Sequence, residues 1–239
     1  MIEKIVTAIV LEKISFNDEH LVKILSEGGN VITLKAKGLD LNSSKNRMSL
    51  GVFNEVEIEY FTSQFSRNNT GRLKTARIIK EFIYENNYNS INILNFCKNI
   101  LLQQNNNSNQ IYKSIQKIKN SLENNFYNFQ FIFELLILKL RQNGYKPIVD
   151  KCALCQSNQN IKGFSIYEGG LICDKHEESI KYELEPSTLR KIITINTLKD
   201  PLYCNNLNLN QNEILKIKSM YKMFFENQLG ISLFLIEKT

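Results

Sequence analysis

Hydrophobic and polar residues alternate along the first third of the chain with the period of β-strands. Runs rich in β-branched and aromatic residues predict five strands there, at residues 5–11, 20–25, 31–37, 52–61 and 72–82. In the third run, the alternation places apolar side chains on one face and Lys35 with Lys37 on the other. Gly28 and Gly29 suit the tight turn of the hairpin that precedes this run.

A polar loop at residues 38–49 separates the third predicted strand from the fourth. Short strands with one longer loop in the middle are typical of a small closed barrel, and the OB-fold is the favoured candidate. The pattern therefore predicts a first domain of this kind at residues 1–82.

Helical periodicity replaces the strand pattern from about residue 88. The most apolar predicted helix covers residues 126–142 and is hydrophobic nearly all round, as is typical of a helix at the centre of a bundle. Further helices are predicted from Pro186 and from Asn210, which begins an Asn-x-x-Glu capping pattern. Residues 83–239 are thus expected to form an all-helical domain with one interruption, in a protein of the α+β class.

The interruption, at about residues 150–180, carries two ligand pairs, each with two residues between its members. The four residues are Cys152, Cys155, Cys173 and His176. This spacing lets a short turn present two donors to one tetrahedral metal ion, for which zinc is the usual choice. Residues 156–172, between the pairs, carry a predicted hairpin. We interpret the segment as an inserted zinc ribbon with one structural Zn²⁺ per chain.

The spacing alone is also compatible with chance placement of the four residues and with a disulfide between cysteines. The sharper alternative is a catalytic zinc site of the deaminase type, because His176–Glu178 has the H-x-E form and Cys152–Cys155 could supply its C-x-x-C. The order of these motifs is reversed, however, and Cys173 adds a fourth protein ligand. A catalytic zinc keeps one position open for water, so a structural site is favoured.

The composition indicates a globular protein, with 43% hydrophobic residues. Its net charge of +6 mildly favours binding to polyanions. The N-terminal residues include Glu3 and Lys4 and do not resemble a signal peptide. The longest apolar segment, residues 129–140, is interrupted by polar residues and is too short to span a bilayer. Cys97 and Cys204 lie outside the ligand set, and unpaired thiols fit a reducing compartment. We expect a cytoplasmic protein without a membrane segment.

No set of catalytic residues is evident in the sequence. The two histidines are His20, expected to be an ordinary polar surface residue, and His176, already assigned to the metal. Neither a P-loop nor a G-x-G-x-x-G motif is present to hold phosphates. These observations favour a protein that binds and does not catalyse.

Positively charged residues concentrate in the predicted barrel strands and the adjacent loops. They are Lys35, Lys37, Lys45, Arg47, Arg67, Arg72, Lys74, Arg77 and Lys80. An OB-fold binds nucleic acid by combining a basic groove with aromatic stacking, for which Phe53, Phe61 and Phe65 are available. Alternatively, the cations are scattered solubilising charges and the phenylalanines belong to the core.

Segments along nearly the whole chain occur in the order found in one bacterial family. In the first domain they are Ile9–Leu11, Phe16–Glu19, Leu21–Val22, Gly28–Gly29, Lys35–Gly38, Lys45–Arg47 and Phe53–Tyr60. Further on they are the ligand segment with Phe164 and Gly169–Leu171, and the stretch Tyr221–Leu235 with Gln228–Gly230. By the order of these parts, the chain resembles the recombination mediator family RecO.

The resemblance implies an N-terminal OB-fold, a helical domain and an inserted zinc ribbon. It also implies non-enzymatic binding of single- and double-stranded DNA, annealing of complementary strands and loading of RecA during repair. The implied partners are RecR and the C-terminal tail of single-stranded DNA-binding protein, in the cytoplasm and at the nucleoid. His176 departs from the many family members that have cysteine at this position, but histidine also ligates zinc.

Three hypotheses follow. The favoured one is a DNA-binding recombination mediator without catalysis. The second is a zinc-dependent hydrolase or deaminase, and the third is a protein-interaction module that uses the zinc ribbon without contacting DNA.

Overall fold

The structure is a computed structural model. It describes residues 1–16, 19–41, 44–63, 69–83, 88–102, 108–124, 129–145, 147–180, 182–183, 185–197 and 208–229. The chain divides into two compact units, Met1–Tyr127 and Asn128–Glu237. This division lies further along the chain than the expected domain boundary after residue 82, and that domain assignment stays a prediction. The mixed α and β architecture is confirmed, with a five-stranded N-terminal sheet and a helical part.

Five strands of the first unit close into a barrel, as the alternation predicts. They are β1 (Ile2–Phe16), β2 (Glu19–Ser26), β3 (Val31–Lys37), β4 (Glu55–Thr62) and β5 (Thr70–Lys80). Their order around the barrel is β1-β2-β3-β5-β4, with β4 paired back onto β1. Every neighbouring pair is antiparallel except β3 and β5, whose parallel ladder joins Thr33–Lys35 to Thr70–Arg72.

The barrel is filled by the apolar face of each strand. Its buried core consists of Ala8, Val10, Val22, Ile24, Ile32, Leu34, Ala36, Leu39, Leu50, Val56, Ile58, Tyr60 and Ala76. The predicted alternation of β3 is confirmed, since Lys35 and Lys37 lie exposed on the other face. The alternation predicts Val52 on the inner face with Val56, but Val52 is 46% exposed because it lies in a turn before β4 begins.

Gly71 on β5 leaves room for an aromatic ring. A Cβ atom at this position would lie 2.6 Å from Tyr60 Cδ2 and 2.8 Å from the carbonyl oxygen of Phe61. Since real Cβ contacts are essentially never that short, the tyrosine ring packs directly against the β5 backbone.

The predicted loop at residues 38–49 contains a short helix, α1 (Lys45–Ser49), which the sequence pattern does not indicate. Asn46 fastens this helix to β5, because its side chain accepts a hydrogen bond from the Ala76 N–H (2.9 Å) and donates one to the Lys74 carbonyl (3.4 Å). The ladder between β3 and β5 ends at Arg72. The Asn46 amide therefore supplies polar partners on the edge of β5 beyond that point.

Two helices follow the barrel in the first unit, α2 (Tyr88–Leu102) and α3 (Asn109–Glu123). Helical spacing predicts an apolar stripe on α2 formed by Ile91, Leu94, Phe96, Ile100 and Leu101. It is buried from Leu94 onwards, but Ile91 is 38% exposed and Ile93 is buried instead. The polar run at residues 103–109 predicts a loop, of which residues 103–107 lie outside the described residues.

Helix α3 contacts the barrel through polar side chains. Tyr112 Oη and Gln116 Nε2 both donate to Glu55 Oε1, at 2.9 and 3.0 Å. Lys119 is 2% exposed, and its ammonium group lies 5.4 Å from the centre of the Phe82 ring. Burial lowers the pKa of Lys119 to about 8, although Glu55 and Glu123 partly oppose this.

The second unit begins with α4 (Phe129–Gln142), in which residues 132–140 are all buried. A sheet follows with strand order β6-β8-β7-β9, formed by β6 (Ile148–Cys152), β7 (Ile161–Ser165), β8 (Gly170–Cys173) and β9 (Tyr182–Glu183). The unit ends with α5 (Pro186–Thr197) and α6 (Gln211–Leu229). Phe133 of α4 packs edge to face on Tyr221 of α6, with ring centres 4.6 Å apart.

No helix in the described ranges is both long and apolar enough to cross a membrane.

The predicted cap of α6 is confirmed. The Glu213 N–H donates to Asn210 Oδ1 and the Asn210 N–H donates to Glu213 Oε2, both at 2.9 Å, which is the reciprocal arrangement of a capping box. Lys191 of α5 donates to the same Glu213 oxygen at 2.6 Å. The cap thereby also ties α5 to α6.

We expect Gly71→Ala to destabilise the protein by about 1–3 kcal/mol, because the added methyl group overlaps Tyr60 and the β4 backbone. Urea unfolding measures the change. Gly28→Ala is the matched control, since a Cβ there meets nothing closer than 3.9 Å. An equal loss of stability in the two variants would contradict the close packing of Tyr60 on β5.

We expect Lys119→Met to stabilise the protein at pH 7 by up to about 3 kcal/mol, because the native state holds a charged lysine away from water. The native pKa lies below the unfolded one, so the unfolded chain binds more protons between about pH 8 and pH 10.5. The stability of the natural protein should rise across that window, and the advantage of the variant should shrink. Urea unfolding from pH 7 to pH 10.5 tests this, with the exposed Lys113→Met as control. An advantage that stays constant with pH would contradict the cost of burying the charge.

Candidate metal centre and nucleic-acid interface

The two predicted ligand pairs lie at corresponding ends of two neighbouring strands. β6 and β8 run parallel, and Cys152 and Cys173 are their last residues. A tight turn follows β6, in which the Gln156 N–H donates to the Cys152 carbonyl (2.9 Å) and Gln156 has a positive φ of 63°. A 3-10 helix, Asp174–Ser179, follows β8. Because parallel strands end at the same edge of a sheet, the two turns face each other.

All four predicted ligands converge on one point. The donor atoms of Cys152, Cys155, Cys173 and His176 all lie within 4.8 Å of one another. His176 presents Nδ1, which lies 3.4 Å from the Cys173 sulfur and 3.8 Å from the Cys152 sulfur. The sulfurs of Cys155 and Cys173 are 3.6 Å apart.

These separations fit a single tetrahedral ion. With zinc–sulfur bonds of about 2.3 Å and zinc–nitrogen bonds of about 2.0–2.1 Å, the edges of a tetrahedron measure roughly 3.5–3.8 Å. The three shortest donor separations given above, 3.4, 3.6 and 3.8 Å, are close to this range. The cluster could therefore hold one metal ion, with four protein donors around it.

The pKa shifts of two cysteine thiols in the cluster favour the binding of a cation. Burial opposes ionisation of Cys152, but backbone N–H groups of Cys155, Cys173 and Leu154 outweigh it and lower the pKa of Cys152 to about 6. The pKa of Cys173 is raised, first by burial and then by the neighbouring thiols of Cys155 and Cys152. A divalent cation removes this conflict, since it binds thiolates directly.

The described cysteines do not form a disulfide. Cys97, Cys152, Cys155 and Cys173 are all free thiols, and the 3.6 Å between the Cys155 and Cys173 sulfurs is far beyond the bonded distance of about 2.05 Å. Cys97 is buried, which raises its pKa to about 12, as suits a thiol packed in the core. Cys204 lies outside the described residues.

Polar contacts hold the second ligand turn in place. Asn160 Nδ2 donates to Asp174 Oδ2 (3.0 Å), and the Asp174 N–H donates to the Asn160 carbonyl (3.0 Å). Lys162 on β7 forms an ion pair with Glu177. Glu178, the acid/base residue that a deaminase site would require, is exposed.

The nine predicted DNA-binding cations differ in their acidic partners. Four of them form ion pairs: Lys37 with Glu19, Lys74 with Glu3 and Glu59, Arg77 with Glu57, and Lys80 with Glu123. Lys35, Lys45 and Arg72 have no ion pair within the described part of the chain. Arg47 is exposed on α1, and Arg67 lies outside the described residues.

The two barrel cations without acidic partners are neighbours. Lys35 on β3 and Arg72 on β5 are directly opposite each other in the parallel ladder. Arg72 in turn lies opposite Phe61 on β4, whose side chain is partly exposed. The outer surface of the barrel therefore carries two cations and an aromatic ring in one row across three strands.

Two residues of the barrel domain that the sequence predicts to lie on the surface are buried. Phe53 is a candidate for base stacking by sequence, but it is 3% exposed and packs on Phe82 with ring centres 6.0 Å apart. The prediction that His20 lies on the surface is wrong, since its side chain is 4% exposed where β2 pairs with β1 on one side and β3 on the other. Phe65 lies outside the described residues.

The contacts of His20 do not form a catalytic relay. Its Nε2 lies 3.1 Å from Ser15 Oγ and 3.3 Å from Asp40 Oδ1, and Nδ1 is buried without a hydrogen-bond partner among the described residues. In a Ser-His-Asp triad the serine and the aspartate contact different ring nitrogens, so that one orients the ring while the other transfers a proton. Here both contact the same nitrogen.

Comparison with known proteins identifies the family. The family described as "Recombination protein O C terminal" matches residues 84–233, which is more than half of the chain. The chain belongs to the RecO family. The resemblance found in the sequence is confirmed, and the RecO family is one of DNA repair and recombination.

Several relatives are named DNA repair protein RecO. The protein from Mesoplasma florum is 25% identical over 193 residues, covering 77% of this chain and 72% of that protein. The protein from Syntrophomonas wolfei is 31% identical over 64 residues, 27% of this chain and 26% of that protein. The protein from Bacillus mycoides is 23% identical over 91 residues, 38% of this chain and 37% of that protein.

The sequence does not single out the residue that positions the basic groups of this RecO family member. Asn46 holds α1 against β5 and so places Lys45 and Arg47 on the barrel surface. Its only sequence signal is a position between two cations in a polar loop, which does not indicate a tertiary contact.

Proposed function

We propose that this protein is a non-enzymatic recombination mediator that binds single- and double-stranded DNA. In this proposal the barrel is an OB-fold, and its outer surface on β3 and β5 binds the strand. The observation that carries it is the row formed by Lys35, Arg72 and Phe61 on three adjacent strands. Two cations without acidic partners in the described chain attract phosphates, and a partly exposed aromatic ring offers a base a stacking surface.

The cations on α1 extend this basic surface. Lys45 and Arg47 flank Asn46, which ties their helix to the same strand that carries Arg72. The ion-paired cations, such as Lys74 and Arg77, contribute less, because their carboxylate partners already neutralise them.

We infer that the four-residue cluster binds one structural Zn²⁺ and that the segment around it is a zinc ribbon. Cys152, Cys155, Cys173 and His176 would be the ligands. Four protein donors around one ion leave no position for a reacting water, which argues against a deaminase or hydrolase. A short four-stranded sheet has little core of its own, so the metal would stabilise its fold.

The proposed partners follow from membership in the RecO family. They are RecR, the RecA that is loaded on DNA, and the C-terminal tail of single-stranded DNA-binding protein, with the protein acting in the cytoplasm at the nucleoid.

We expect the double variant Lys35→Ala/Arg72→Ala to bind a single-stranded oligonucleotide more weakly and to reduce the slope of log affinity against log salt by about 1.4. Each phosphate contact on a single strand contributes roughly 0.7 to that slope, because it releases counterions. Fluorescence anisotropy across a salt series measures both quantities, and an annealing assay with complementary strands tests the activity.

The matched control is Lys37→Ala/Arg77→Ala, which likewise removes one lysine and one arginine, both of them ion-paired. Its effect on the slope should be clearly smaller. Equal effects of the two pairs would indicate that only net charge matters and would reject the row as the binding surface. If the natural protein binds neither single- nor double-stranded DNA, the mediator proposal fails. The hypothesis of a protein-interaction module without DNA contact then remains.

We expect Cys155→Ser to lower the zinc content from one ion per chain to well below one, and to speed amide exchange in β7 and β8. A lost ligand opens the shell, and the binding energy that folds the segment falls with it. Elemental analysis and hydrogen exchange measure the two effects. Cys97→Ala removes a thiol away from the cluster and should keep the zinc. Full zinc content in Cys155→Ser would contradict the ligand assignment.

A further inference from the structure

One open end of the barrel is polar where its interior pattern predicts apolar residues. On β1 the inward positions are Val6, Ala8 and Val10, all packed in or against the core. The next inward position towards the N-terminus is Lys4, and it lies directly opposite Tyr60 on β4. Polar groups therefore replace apolar ones at this mouth.

A small cavity of about 130 Å³ lies at this mouth. Ile32 and Tyr60 form its buried side, at 6% and 5% exposed. Among the described residues, Lys4, Thr62 and Asn69 line its more exposed side. Lys4 has no ion pair among the residues that the structure describes.

Tyr60 packs closely on β5, and its hydroxyl lacks a protein partner among the described residues. Its ring packs on the Gly71 backbone, and its hydroxyl has no hydrogen-bond partner within the described ranges. The hydroxyl oxygen is not fully buried, so water or a ligand can reach it. Burial also raises the pKa of Tyr60, so the phenol stays protonated and able to donate. A ligand with a hydrogen-bonding edge would satisfy it.

Size and chemistry narrow the choice of ligand. The cavity is much smaller than pockets for drug-sized molecules, which measure about 300–1,000 Å³. One flat heterocycle suits the combination of the apolar Ile32, the tyrosine edge and the Asn69 amide. The ammonium of Lys4 at the more exposed side suits a phosphate attached to that ring.

The cavity continues the surface proposed for DNA. Ile32 and Thr70, which both line it, lie on the same two strands as Lys35 and Arg72. The parallel ladder that pairs Lys35 with Arg72 also pairs Thr33 with Thr70. Thr70 at the cavity is two residues from Arg72 in the row, so the cavity lies close to the proposed DNA-binding surface.

We propose that this cavity is a nucleotide subsite that takes one unstacked base of the bound strand. The Tyr60 hydroxyl bonds to the edge of the base, and Lys4 contacts its phosphate. This inference rests on the proposed DNA-binding function and deepens it, because it adds a hydrogen bond to the edge of a base to the phosphate contacts and stacking surface that the row supplies.

The test compares Tyr60→Phe with the natural protein, both full-length and zinc-loaded, on two strands of equal charge. One strand is a thymidine 15-mer, and the other is a 15-mer of abasic sugar-phosphates. Tyr60→Phe keeps the ring that fills the barrel and removes only the hydroxyl. We expect about fivefold weaker binding of the thymidine strand, the value of one hydrogen bond, and unchanged binding of the abasic strand. Tyr167→Phe, an exposed tyrosine of the second unit, is the matched control and should change neither.

A second measurement locates the base. A thymidine strand carrying one 5-iodouracil should crosslink on irradiation to peptides containing Tyr60 or Lys4, and the yield should fall in Tyr60→Phe. Equal losses on both strands, or no loss on either, would overturn the subsite while leaving the basic row intact. If the natural protein binds neither strand, the DNA-binding proposal itself fails, and the subsite fails with it.

Discussion

The short parallel ladder between β3 and β5 is the constraint on which the first unit depends. It consists of three residue pairs and closes the barrel between strands that are not consecutive in the chain, which removes the exposed edges of an open sheet. It also brings Lys35 beside Arg72. Beyond Arg72, Asn46 supplies hydrogen bonds to β5, and within the ladder Gly71 lets Tyr60 pack against the strand beside the cavity. The positions of α1 and of the cavity are thus both tied to where the three pairs begin and end.

Charge on the barrel surface is set by neighbouring strands. β4 presents glutamates on its outer face, and two of them pair with cations of β5, Glu59 with Lys74 and Glu57 with Arg77. On the other side of β5 lies β3, whose residue opposite Arg72 is a lysine. The positive field is therefore largely cancelled towards β4 and persists towards β3. A count of basic residues along the chain does not reveal this difference between the two sides of β5.

The same kind of parallel pairing builds the metal centre. β6 and β8 are far too short to make a stable sheet by hydrophobic burial alone, yet their ends present Cys152 and Cys173 side by side. Each turn adds one more donor, Cys155 or His176. A bound ion would join two turns that are separated by a hairpin in the chain.

Local spacing along the chain predicts several features: alternation predicts the barrel strands, an Asn-x-x-Glu pattern predicts the cap of α6, and two residues between ligands predict the metal cluster. In each case the grouping depends on residues a few positions apart, or on one face of one element. The tertiary structure, by contrast, sets which strands are neighbours, and with that the chemistry of each surface. It buried His20 and Phe53, and it gave Lys74 two acidic partners while Lys35 has none in the described chain. The physical reason is that hydrogen-bonded neighbours in a closed barrel can be tens of residues apart in the chain, so their pairing is absent from any local pattern.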